Sequence, residues 1–221
     1  MVRHPGAAPG VHPGVPDRLR FVVLGDSIAA GTGAGRPGDA LGPRLTAALA
    51  AEGIPADLSV LAVPGAVSRD LAPQVRRAVA LQPDLALVVI GANDLARFVP
   101  PAQAAADLGA AVTALRGAGA EVVVLPAPDL ALVPWIPAAY RGLVSAACAQ
   151  LQARQGEAVR QAGGVVAPLG TDLDAAFVAD PAMFAADRFH PSSAGYARIA
   201  EALAPTVLAA ARYAAGDGSA A

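Results

Sequence analysis

His190 is the one histidine outside the proline- and glycine-rich stretch at the start of the sequence, where His4 and His12 stand. Imidazole-based chemistry in the folded body therefore falls to His190. Asp187 precedes it by three residues. Within a turn, that spacing lets a carboxylate meet the ring's Nδ1–H, fix its tautomer and stabilise an imidazolium. A candidate for the other ring nitrogen lies far upstream in FVVLGDSIA (21–29), where Ser27 follows four apolar residues, a glycine and an aspartate. A serine hydroxyl is a poor nucleophile until a base takes its proton. Ser27, His190 and Asp187 thus have the residue types of a nucleophile, its base and the base's orienter. Acyl transfer also needs donors aimed at the developing oxyanion, and losing one costs ~10²- to 10³-fold in rate. The backbone N–H groups of Ser27 and Gly65 and the side-chain amide of Asn93 are candidates. Gly65 lacks a Cβ, so its backbone can approach a substrate closely.

Each piece taken singly also has a plain structural reading. Gly25-Asp26-Ser27 is a turn with a polar cap, and Gly65 beside Pro64 is a turn glycine. Gly91-Ala92-Asn93-Asp94 is an Asx-turn, and Asp187-x-x-His190 before Pro-Ser-Ser leads into a helix. Their joint occurrence, in this order and at four expected loops on one side of a sheet, favours the chemical reading.

The elements that must position them are legible as alternating patterns. Apolar runs at 20–25, 58–63, 85–91, 121–127 and 164–169 are near-continuous and β-branched, as in strands covered on both faces. Helical segments are expected at about 39–52, 69–81, 101–117, 137–162 and 193–212. Asp39 and Ser193 are candidate N-caps, and Pro101 suits a first helical turn. This alternation predicts a doubly wound α/β domain with right-handed crossovers, in which ligands bind beyond the carboxyl ends of the strands. The three clusters at Ser27, Gly65 and Asn93 then share one sheet edge, to which the loop entering the last helix can return. Residues 1–18 read as a flexible leader, 19–213 as one domain and 214–221 as a frayed tail.

Composition narrows the function classes. With 55% hydrophobic and 15% charged residues, the chain can build a sizeable core. The formal net charge of −2 gives no basic excess, so no nucleic-acid partner is expected. All 16 basic residues are arginine, which excludes a P-loop because that motif needs a lysine. No apolar run reaches the ~18–20 residues of a membrane span, so no stable membrane insertion is expected. The first twenty residues lack an apolar signal core, which points to a cytoplasmic location unless the chain is a mature form. The single Cys148 cannot form an internal disulfide and reads as a buried, inert thiol in a helix. No cluster of His, Cys and Asp has metal-site spacing, so neither a metal nor another cofactor is expected.

Two rival readings concern the same region. Gly33-x-Gly35-x-x-Gly38 satisfies the dinucleotide fingerprint, but residues 26–32 separate it from the strand and a proline interrupts it. The other is a non-catalytic ligand-binding protein of the same fold, disfavoured because every group needed for the chemistry is present. The elbow G-x-S-x-G is incomplete, since Ala29 replaces its last glycine, which argues against the α/β-hydrolase fold.

The blocks resemble those of the SGNH (GDSL-type) hydrolases. Gly25-Asp26-Ser27 matches the first block, Gly65 the second, Gly91-Ala92-Asn93-Asp94 the third and Asp187-Arg188-Phe189-His190 the last. The resemblance spans about 20–210 and keeps the order Ser, Gly, Asn, His. It implies a flavodoxin-like three-layer α/β/α sandwich with a five-stranded parallel sheet. It also implies a Ser27–His190–Asp187 triad and an oxyanion hole from Ser27, Gly65 and Asn93. Two departures stand out: Ile28 follows the serine where many relatives have leucine, and Val-Pro precedes Gly65 where an asparagine is frequent. The expected activity is hydrolysis of a small-molecule acyl ester through an acyl-enzyme. The segment LALVPWIPAAYRG (130–142), with Met183 and Phe184, is either an apolar cleft wall or lid, or core filling by Trp135 and Phe184.

Overall fold

The computed structural model describes residues 18–168 and 171–216. The expected leader up to residue 17, the tail from 217 and the end of the fifth expected strand at Leu169 lie outside the described residues.

Strand β1 (Leu19–Gly25) is apolar at almost every position because both of its faces are covered. Successive side chains alternate across a strand. Phe21 and Val23 therefore join one core with Leu85, Leu87 and Val89 of β3 (Leu85–Val89) and Val123 and Leu125 of β4 (Glu121–Leu125). Val22 and Leu24 join the other with Ala86, Val88, Val122 and Val124. Helices α2 (Leu41–Ala51) and α8 (Ser193–Ala214) close the first core through Leu41, Leu45 and Leu49 and through Tyr196, Leu203 and Val207. Helices α3 (Leu71–Ala80) and α5 (Pro101–Gly117) close the second through Leu71, Val75 and Ala78 and through Leu108, Val112 and Leu115. Each such leucine, fully buried, contributes about 1.5–3 kcal/mol of transfer free energy.

With β2 (Ala56–Val60) and β5 (Val165–Val166), the strands form one parallel sheet in the order β2-β1-β3-β4-β5. This is the flavodoxin-type order, with helices on both faces as expected. The strand order reverses between β1 and β3, with successive connections running to opposite sides, which opens a crevice at their carboxyl ends.

The differences from expectation are local. β5 pairs only two residues with β4; Ala167 N–H still reaches Val124 O at 2.9 Å, but the next residue in line after β4, Pro126, has no N–H to donate back to Ala167 O. β2 is an edge strand and half-exposed, not covered on both faces. Neither expected N-cap residue serves as one. Asp39 ends a 3₁₀ turn and instead binds Arg44 (3.1 Å) and the Ser193 hydroxyl (2.9 Å). Ser192, not Ser193, caps α8, its Oγ accepting Gly195 N–H at 3.2 Å. Three short helices were not expected: α1 (Ser27–Ala30), α4 (Ala92–Ala96) and α7 (Thr171–Ala179), while α6 (Ala138–Gln161) falls where it was. No helix among the described residues is long and apolar enough to cross a membrane.

Candidate active site

The site begins where β1 must turn sharply past β3. Gly25 has φ +134°, and a Cβ there would stand 1.8 Å from Val89 O, so only glycine fits. Beyond the ladder, the buried Gln74 side chain accepts Gly25 N–H at 2.8 Å and donates to Gly25 O at 3.0 Å. Asp26 then caps α1, its Oδ1 accepting Ile28 N–H at 3.0 Å. Burial pushes the Asp26 carboxyl up to about 7, against the opposing pull of that N–H. Ser27 is the first residue of the turn so formed, and the Tyr196 hydroxyl supports it from α8 by donating to Thr32 O at 2.8 Å.

His190 arrives on a narrow hairpin. Phe184 and Pro191 pair antiparallel, Ala185 N–H reaches His190 O at 2.8 Å, and Ser192 N–H reaches Met183 O at 2.8 Å. Between them, Asp187 Oδ1 accepts the N–H groups of Phe189 (2.9 Å) and His190 (3.0 Å), with Arg188 in the left-handed region at φ +53°. Asp187 Oδ2 lies 2.6 Å from His190 Nδ1, and this hydrogen bond holds the carboxyl down to about 2. The Nδ1–H tautomer follows, which leaves Nε2 free to accept from Ser27 Oγ, 3.0 Å away.

The glycine-rich loop of the dinucleotide rival has a different use. A Cβ on Gly33 would meet Pro191 O at 2.5 Å and His190 Cβ at 2.9 Å, and Gly35 N–H donates to Ser193 Oγ at 2.9 Å. The loop packs against the histidine hairpin, and it does not pass directly from a strand into a helix.

Gly65 and Asn93 stand beside each other across the switch point. Asn93 Nδ2 donates to Ala66 O at 3.1 Å, which leaves its second N–H unused by that bond. Gly65 adopts φ +82°, and among the described residues its N–H and that of Ser27 meet no backbone acceptor. The neighbouring Asp94 is fully buried and accepts both Ser68 N–H (3.0 Å) and Ser68 Oγ–H (3.1 Å). Burial raises its carboxyl above the ordinary range. The structure thus brings Ser27, Gly65, Asn93, Asp187 and His190 to one edge of the sheet. No three His, Cys, Asp or Glu side chains among the described residues are placed to hold a metal ion.

Residues 23–198, which carry all of these groups, match the model of the GDSL-like lipase/acylhydrolase family. The chain belongs to that family. A GDSL-like esterase of Mycobacterium tuberculosis is 38% identical to it over 193 residues, which cover 86% of this chain and 62% of that protein. The chain therefore spans less than two thirds of that curated relative's length. Among solved structures, TesA superposes with a TM-score of 0.68 at 25% identity, covering 85% of this chain and 97% of TesA. Axe2, an acetylxylan esterase from Geobacillus stearothermophilus, shares the fold with a TM-score of 0.67 at 20% identity, over 86% and 94% of the two chains.

In this GDSL-like chain, Ser27 and His190 form part of the wall of an apolar cavity of ≈ 90 Å³, with Ile28, Leu125, Leu173, Phe177 and Phe184. Phe184 is buried and meets Phe177 edge-to-face at 5.1 Å, so it fills core and lines the cavity at once. Trp135 is not core: it is 58% exposed and stacks on Phe189 at 6.1 Å. It lines a second, wider groove of ≈ 490 Å³ with Phe98, Val99 and Leu143. Cys148 is buried at the end of that groove, where burial pushes its thiol up to about 11 and keeps it unreactive.

Sequence reasoning missed the residues that hold the others in place. Asp94 and Asp26 sit inside the quoted blocks, so adjacency was a usable signal. Gln74 and Tyr196 lie mid-helix and carry no motif.

Proposed function

We propose that the protein is a serine esterase that hydrolyses carboxylic esters through an acyl-enzyme. The observation that carries this reading is the hydrogen-bonded line from Asp187 Oδ2 to His190 Nδ1 (2.6 Å) and from His190 Nε2 to Ser27 Oγ (3.0 Å). His190 takes the Ser27 proton as Oγ attacks the ester carbonyl carbon, and Asp187 stabilises the imidazolium. Negative charge collects on the carbonyl oxygen, where the N–H groups of Ser27 and Gly65 and the Asn93 amide meet it. The imidazolium gives its proton to the departing alkoxide, so the alcohol leaves and the acyl group stays on Ser27. Water, deprotonated by His190, then attacks the acyl carbon; Oγ recovers its proton and the acid departs. The names of the M. tuberculosis relative, an esterase, and of Axe2, an acetylxylan esterase, agree with this class of reaction. A cavity of ≈ 90 Å³ beside Ser27 suits a short acyl chain.

The test is turnover of p-nitrophenyl esters from acetate to palmitate by wild type and Ser27→Ala. We expect the highest kcat/KM on the short esters and a loss of ~10³-fold or more in the variant, with its circular dichroism unchanged. A wild type inert towards every ester would favour the ligand-binding alternative. Full activity in Ser27→Ala would remove the serine from the mechanism.

A further inference from the structure

A cation with no ion-pair partner among the described residues stands beside the proposed oxyanion donors. Arg97 N–H donates to Asn93 O at 3.0 Å, so the chain from Asn93 to Arg97 is one helical turn. Residues four apart on a helix share a face, and this face looks at Gly65. A Cβ built on Gly65 would lie 3.5 Å from Arg97 Nη2, an ordinary contact distance, and the residue there is a glycine at φ +82°. Nothing therefore separates the guanidinium from the backbone that offers an N–H to the oxyanion. The nearby carboxylates are engaged elsewhere: Asp94 with Ser68, and Asp70 with Val67 N–H and Arg69. Among the described residues, Arg97 has no ion pair with any carboxylate within 4.0 Å, and it is exposed.

We infer that Arg97 is a specificity residue that reads a negative charge on the alcohol moiety of the substrate. The inference rests on the esterase reading and adds a substrate class to it. Arg97 lines neither the apolar cavity beside Ser27 nor the groove under Trp135. With the acyl chain in the apolar cavity beside Ser27, which Arg97 does not line, the alcohol portion extends outside that cavity, and on this inference its charged end comes within reach of Arg97. The planar guanidinium fork matches a phosphate or a carboxylate through paired N–H bonds, whereas a neutral alcohol offers it little. The substrate class is thus a short-chain ester whose alcohol bears a phosphate or a carboxylate.

Three butyrate esters test this with wild type, Arg97→Gln and Arg97→Lys: monobutyrin, 1-butyrylglycerol 3-phosphate and 3-(butyryloxy)propanoate. We expect wild type to prefer a charged ester, with a preference that shrinks as salt is added. Arg97→Gln should reduce the ratio of charged to neutral kcat/KM by about tenfold, mainly through KM, and Arg97→Lys should restore part of it. The charged ester whose ratio falls further names the anion as phosphate or carboxylate. An unchanged ratio would overturn the inference while leaving the esterase reading intact. An equal loss on all three esters would also overturn it, by making Arg97 a support of the oxyanion. A wild type that cleaves none of the three esters but turns over p-nitrophenyl acetate would overturn the inference alone, whereas one inert towards the p-nitrophenyl esters as well would overturn the esterase reading and this inference with it.

Discussion

Asp94 accepts both the backbone N–H and the hydroxyl of Ser68, at 3.0 and 3.1 Å, from a fully buried position. This clamp joins the helix that presents Asn93 to the loop that presents Gly65, two groups that arrive from different strands.

Asp94→Ala strands two buried donors on Ser68, each costing about 1–3 kcal/mol when left without an acceptor. Thermal melting should show a lower Tm, and kcat should fall ~10- to 100-fold as the two proposed oxyanion donors lose their common geometry. A lowered Tm with unchanged kcat would confine Asp94 to holding the fold.

Gly33→Ala tests the cradle of the histidine. The added Cβ would lie 2.5 Å from Pro191 O and 2.9 Å from His190 Cβ, at a φ of +93°. The hairpin must shift to make room, and a displacement near 1 Å costs ~10²-fold in rate. We expect that loss in kcat with the far-ultraviolet circular dichroism retained. Wild-type turnover would show that the loop does not position His190.

Stability should depend on pH through Asp26. Its carboxyl is pushed up to about 7 in the folded chain, whereas the unfolded chain has an ordinary carboxylate. Between about pH 4 and 7 the folded state therefore holds a proton that the unfolded state has lost, and stability falls as pH rises. The full effect is at most about 4 kcal/mol. Asp26→Asn removes this slope, so urea unfolding should show the variant gaining on wild type from pH 5 to pH 8. Equal pH dependence in the two proteins would refute it. Asp187 acts in another window. Its carboxyl, held down to about 2 mainly by His190, adds stability above the ordinary carboxylate range that is lost as pH falls towards 2.

The residues differ in how far they could be read from the sequence, and the reasons are physical. The cores of β1, β3 and β4 are legible because burial on both faces leaves an unbroken apolar run, whereas the apolar run Gly164 to Leu169 exceeds the two residues of β5 that pair, because the ladder depends on the facing strand, where Pro126 offers no N–H. Ser27 and Asn93 stand out because polar types with chemistry follow strand ends, and His190 because it is the one histidine of the folded body, three residues after an aspartate. Gln74 does not, because a buried amide that satisfies one glycine has no periodicity. Ser193 was expected as a cap because its type fits. Its hydroxyl instead binds Asp39 and Gly35, partners 154 and 158 positions away, which no local pattern encodes.

Ser27 and His190 are anchored with unequal firmness. The serine opens α1 two residues past a strand flanked by neighbours on both sides, so it is tied closely to the central sheet. The histidine rides a hairpin held by a single bridge and a few backbone bonds. Local opening costs far less than global unfolding. Inactivation should therefore be a separate, earlier equilibrium than denaturation, and the fraction of competent molecules is set by the hairpin rather than by the domain.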